Sequence, residues 1–178
     1  MKTKVILTVI ILISAFGTSL HAQSTSAASP TMTLTVPQVA TISVSNFTMG
    51  TSTNPGSFGS TLEGNVTLNY TVRVPQGGSP NAKITVQSAN SSLTAGTSAS
   101  TAPGVSSVQY SSSASGSGVT ANSSWQNLSG TTAGTLVTFA AGTKVNAGTA
   151  TANFRVADSP TYDADTYTLP LTFTISSQ

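Results

Sequence analysis

Four carboxylates are the whole acidic complement of this chain: Glu63, Asp158, Asp163 and Asp165. Two of them could perform glycoside hydrolysis, one donating a proton and the other working across the scissile bond. No spacing brings Glu63 to the aspartates, and its setting, Thr61-Leu62-Glu63-Gly64, reads as a solvated loop acid. Asp158, Asp163 and Asp165 fall within eight residues, and a calcium loop uses carboxylates at alternate positions. Their spacing fits no EF-hand, so a turn before the last strand is the plainer reading. Trp125, the only tryptophan, stands beside Gln126 and Asn127. An exposed indole can stack on a sugar ring while neighbouring amides bond its hydroxyls. Trp125 is therefore the candidate ligand-stacking residue, and the competing reading is a core tryptophan.

The rest of the catalytic repertoire is missing. There is no cysteine, and the one histidine, His21, lies in a segment expected to be removed. Without them there is no thiol nucleophile, imidazole base, Ser-His-Asp triad or His/Cys zinc site. The reading is of a protein that is not an enzyme and carries no cofactor or metal. No disulfide can form.

The segment holding His21 has the plan of an export signal. Lys2 and Lys4 precede the run Val5–Ile13, apolar but for Thr8, and Leu20-His21-Ala22 ends on a small residue. A charged start, a short apolar stretch and a small residue at the end define such a leader, and the run is too short to span a bilayer. Residues 1–22 are expected to be a signal peptide cleaved before Gln23, which leaves 156 residues. The mature protein is then periplasmic, extracellular or at the cell surface, with no transmembrane segment. Its four basic residues, Arg73, Lys83, Lys144 and Arg155, balance its four acids. Nucleic-acid binding needs clustered cations, and these are scattered singly.

With so few charges, polarity comes from hydroxyls: 27 Ser and 28 Thr follow Ala22. Several runs alternate apolar and polar residues, the pattern of a strand with one buried face. Thr31–Val36 places Met32, Leu34 and Val36 on one side before Pro37 ends the run. Ala40–Ser45 carries Ile42 and Val44, and Val66–Val74 is the longest clear strand. Ala82–Gln87 reads as its hairpin partner across Pro75–Pro80. Residues 46–64 read as turn and loop. A short strand is expected around Val105–Tyr110, and a strand or packed loop over Val119–Leu128. Further strands are expected at Thr135–Phe139 and Thr149–Val156, with turns at Gly142, Asn146 and Gly148. The last, Thr166–Ile175, turns Tyr167, Leu169, Leu171, Phe173 and Ile175 inward, with Pro170 marking an edge or a bulge.

These elements predict an all-β fold, an antiparallel immunoglobulin-like sandwich of seven to nine strands with no disulfide. The expected organisation is a leader over 1–22, a flexible N-terminus over 23–30 and one domain over 31–178. Thr-x-Thr pairs such as Thr149/Thr151 and Thr172/Thr174 could match an ice lattice only if stacked in register on neighbouring strands. No fixed repeat supports that, and threonine is an ordinary strand former. Six Asn-x-Ser/Thr sites (Asn46, Asn65, Asn69, Asn90, Asn122 and Asn127) are what so hydroxyl-rich a chain produces by chance.

The segment Asp163-Ala164-Asp165-Thr166-Tyr167-Thr168-Leu169-Pro170-Leu171-Thr172-Phe173-Thr174-Ile175 resembles the closing strand of secreted bacterial pilin-like sandwiches. Phe47-Thr48-Met49-Gly50 is similar to their Phe-Gly element. The nearest group is the spore coat protein U-like family, with related fimbrial and adhesin domains. Many pilins carry a disulfide where this chain has no cysteine, and Ser176-Ser177-Gln178 lacks their near-terminal tyrosine. The leader, the missing catalytic residue types and the threonine-faced strands, together with this resemblance, point to a non-catalytic structural or adhesive surface subunit whose partners are copies of itself or other surface subunits. Met32, Leu34 and Val36 form the candidate subunit-interaction strand. A carbohydrate- or surface-binding module centred on Trp125 is the alternative.

Overall fold

Residues 32–49, 59–77, 82–97 and 101–176 are described by a computed structural model. The expected leader, the N-terminal tail over 23–30, Thr31 and the turn at Asn54-Pro55-Gly56 lie outside them. The chain divides into two units, residues 1–35 and Val36–Gln178. Of the first only 32–35 are described, and the fold set out here is that of the second.

Period-2 alternation builds it. The strands are β1 (Val39–Val44), β2 (Thr61–Arg73), β3 (Ala82–Ser88), β4 (Thr94–Ala95), β5 (Val108–Ala114) and β6 (Val119–Ala121). After them come β7 (Gln126–Asn127), β8 (Gly134–Phe139), β9 (Lys144–Ala157), β10 (Tyr167–Thr168) and β11 (Leu171–Ser176). One antiparallel sheet has the order β1-β2-β9-β5-β7, a second has β11-β3-β8-β6, and β4 pairs with β10 alone. The only helical turn among the described residues is Val105–Ser107, and no described helix is long and apolar enough to cross a membrane. The fold is all-β, as the alternation predicts.

The two larger sheets share one core. Val66, Leu68, Tyr70 and Val72 of β2 and Ala152, Phe154 and Val156 of β9 face Ile84 and Val86 of β3 and Leu136, Val137 and Phe139 of β8. Each buried Val, Leu, Ile or Phe contributes roughly 1.5–3 kcal/mol relative to exposure. This burial must offset chain entropy without a cross-link.

Several expectations are corrected. The strand expected over 31–36 does not form: Met32–Gln38 carry no ladder, and pairing begins at Val39 opposite Arg73. Alternation suits a segment to a sheet but does not supply the neighbouring strand. The hairpin expected between β2 and β3 is absent too. β2 pairs with β1 and β9 while β3 pairs with β11 and β8, so the two strands belong to different sheets. Residues 61–64, read as loop, belong to β2 because β9 extends to Ala157 and gives them partners. Asn146 and Gly148, read as turns, lie within β9. Its register against β2 shifts between Tyr70 and Val72, and Ala147 takes a φ of 59°. One extra residue is absorbed there as a bulge.

The serine run after Tyr110 is strand β5. Ser112 is buried and donates its hydroxyl to the Leu136 carbonyl at 2.5 Å, so a polar side chain in the core is satisfied. The final strand is broken at Leu169-Pro170 into β10 and β11, with β11 at a sheet edge. That is where proline is tolerated.

Tyr70 is the exception to polar satisfaction. Its hydroxyl is buried with no hydrogen-bond partner, and its ring lies 5.1 Å from that of Phe139. Burial pushes the phenol above its ordinary value of 10. Because the folded state holds the proton more tightly than the unfolded chain, this stability is intact below pH 10 and lost as pH rises beyond it. Tyr70→Phe should raise stability by about 1–2 kcal/mol in urea unfolding, since an unbonded buried hydroxyl costs about that much, and should blunt the alkaline loss. A clear destabilisation would mean that the hydroxyl is bonded.

Candidate functional site

Met32, Leu34 and Val36 are exposed at 89%, 77% and 56%. These are large apolar side chains on alternate residues with no ladder around them. One side of the sandwich is also incompletely closed. Among the described residues β1 pairs only with β2 and β11 only with β3, and the two edge strands lie against each other. The core residues along that side, Ile42, Phe47, Leu171, Phe173 and Ile175, are only partly buried, and Val44 is 39% exposed. Among the described residues no strand pairs with the outer edge of β1 or β11, and such an edge is a template for another strand.

A second feature lies on the outward face of the five-stranded sheet. The register sets Glu63 opposite Arg155, Arg155 opposite Gln109 and Gln109 opposite Asn127. One polar row thus crosses β2, β9, β5 and β7. Arg155 Nε donates to Gln109 Oε1 at 2.8 Å, and Gln109 Nε2 donates to Asn127 Oδ1 at 3.0 Å. Asn65 and Asn153 pair in the neighbouring row.

Trp125, just before β7, is half-buried and reaches back over this surface, its ring centroid 4.1 Å from the Arg155 guanidinium carbon. Such a cation–π contact is worth about 0.5–1 kcal/mol at an exposed site and holds the indole in place. Trp125 is therefore not the core tryptophan of the competing reading. Beside it is a cleft of about 180 Å³ lined by Glu63, Asn65, Asn153 and Trp125, with Gly64 and Phe154 between them.

A larger cleft of about 430 Å³ opens where β6, β7 and β8 end, lined by Tyr110, Asn122, Gln126 and Thr135 among others. One of its two amides is spent on the fold: Asn122 Nδ2 donates to the Thr135 carbonyl at 3.3 Å.

The aspartates act as staples. Asp165 Oδ2 accepts from the Thr97 N–H at 2.7 Å, and Asp163 Oδ2 accepts from the Thr101 N–H at 2.5 Å. Tyr167 Oη donates to the carbonyls of Asp163 (2.7 Å) and Thr101 (3.0 Å). Its phenol is raised above 10 by desolvation first, then by the Asp163 and Asp165 carboxylates. These bonds fix the 163–168 loop to the segment around β4. Among the described residues no group of three or more acidic or histidine side chains is placed to share a metal ion. Thr149 and Thr151 lie in one sheet and Thr172 and Thr174 in the other, so they form no common array.

Sequence reasoning singled out Trp125 but missed its neighbours. In residue order Glu63 reads as a loop acid, Asn65 as part of an Asn-x-Ser/Thr triplet, and Asn153 carries no signal of its own. The signal for them was the outward parity of β2 and β9, readable only once those strands were known to pair. No family model matches the chain, and neither does any curated protein or any solved structure.

Proposed function

We propose that this protein is an exported, non-catalytic structural or adhesive subunit that assembles with further copies of itself on a cell surface, in the manner of pilin-like proteins. The observation that carries this reading is the pairing of an exposed alternating segment with an open sandwich edge. Met32, Leu34 and Val36 are exposed, while β1 and β11 each have one partner among the described residues and only partly buried core residues behind them. In strand addition, main-chain hydrogen bonds to a free edge supply affinity and alternate side chains fill pockets. Residues 31–36 of one copy would extend the β11 or β1 edge of the next, covering Leu171, Phe173 and Ile175.

Removing residues 23–36 is the test. The shortened chain should stay folded, because the core ladders begin at Val39. It should no longer assemble in sedimentation or negative-stain images, and it should bind an added peptide of residues 31–36. An unfolded deletion product, or a wild-type chain that stays monomeric at high concentration, would sink the reading.

A further inference from the structure

We propose that the cleft beside Trp125 binds a single hexopyranose unit of a neutral glycan. Among the described residues, the side chains of Glu63, Asn65 and Asn153 make no hydrogen bond, yet all three line one cleft with the indole. The larger cleft differs: of its two amides Asn122 is bonded within the fold, and no carboxylate stands beside Gln126. Two free amides offer donors and acceptors together, and a carboxylate offers strong acceptors. Hydroxyls on adjacent sugar carbons, each donating and accepting, suit that set. The indole supplies an apolar face for the ring's C–H groups.

The cleft, about 180 Å³, is small beside the roughly 300–1,000 Å³ of drug-sized ligand pockets, which favours a single ring over a longer glycan segment. A peptide strand is disfavoured, because the backbone of β2 and β9 beneath the cleft is already paired. Charge points to a neutral sugar. Glu63 is the one charged side chain lining the cleft, and Arg155, its register partner, balances it, so the site carries no net charge to attract an ionic sugar.

Trp125 is the sole tryptophan, so its emission reports the site directly. The full chain is titrated with the methyl glycosides of glucose, galactose, mannose and N-acetylglucosamine. At least one should produce a saturable change in emission. Saturation-transfer NMR with the same glycoside should lose its signal in Trp125→Ala. Glu63→Ala and Asn153→Ala should each weaken binding about tenfold, the loss of one hydrogen bond. Thr67→Ala, outward on the same sheet, should bind as wild type, with circular dichroism confirming that every variant is folded. A linear, non-saturating response to all four glycosides overturns the inference. So does undiminished binding in both Glu63→Ala and Asn153→Ala. A chain that assembles but binds none of these sugars defeats this inference alone, whereas a sugar-binding monomer defeats only the assembly reading.

Discussion

Phe154→Ala is expected to remove about 3–5 kcal/mol of folding stability, measured by urea unfolding, because it empties a large, fully enclosed site. Phe154 is 1% exposed. Its ring stacks on Phe47 at 5.1 Å and meets Phe173 edge-on at 6.3 Å, linking the segment after β1, the middle of β9 and the edge strand β11. Its neighbours offer little to refill the space: Ala152 lies two residues away on the same inward face and Gly64 is its register partner on β2. Against a total stability of about 5–15 kcal/mol for a domain, and with no disulfide, this loss approaches the limit of folding. Phe173→Ala should cost less, about 1–2 kcal/mol, because half-burial shrinks both the transfer and cavity contributions. If a neighbour's strand covers β11, the cost of Phe173→Ala rises in the assembled form while that of Phe154→Ala does not. Equal costs for the two in the monomer would contradict the partial exposure of β11.

Gly134→Ala is expected to destabilise by about 1–3 kcal/mol, the usual range for forcing an atom into a packed core. The sign is the informative part. In an unobstructed strand interior the same change would stabilise by roughly 0.5–1 kcal/mol, since glycine loses more backbone freedom on folding. Gly134 opens β8, and a Cβ there would overlap the Oη and Cζ atoms of Tyr110 and stand 2.8 Å from Cε1. The ring has little room to retreat. Tyr110 is 5% exposed, and its backbone is paired with Phe154 on one side and Gln126 on the other. In the Tyr110→Phe background the substitution should cost measurably less, because the nearest overlapping atom is gone. Costs that add within about 0.3–0.5 kcal/mol across this cycle would show that ring and glycine are not coupled.

These two positions differ in how readable they were. Phe154 could be assigned to the core from the alternation of Thr149–Val156 alone. Gly134 could not, because its requirement for a missing side chain comes from a tyrosine 24 residues earlier on another sheet. The same division runs through the molecule. Inward and outward parity along β2, β9 and β11 followed from residue order, since successive side chains on a pleat point to opposite faces. Ser111–Ala114 carried no such contrast, and its place in β5 depends on the neighbours that bury and bond Ser112.

What residue order determined by itself was local: an all-β chain, the faces of its longest strands, the absence of any cysteine, and Trp125 as the sole tryptophan. Tertiary structure alone decided which strands pair. It placed β2 and β3 in different sheets, left Met32–Gln38 without a ladder and put β11 at an edge. It also brought Glu63 and Asn65 of β2 beside Asn153 of β9 and Trp125, residues up to 90 positions apart. The physical reason is that the pleat is set by each residue and its immediate neighbours. Pairing, in contrast, is chosen by the whole chain as it buries the most apolar surface with its backbone hydrogen bonds satisfied.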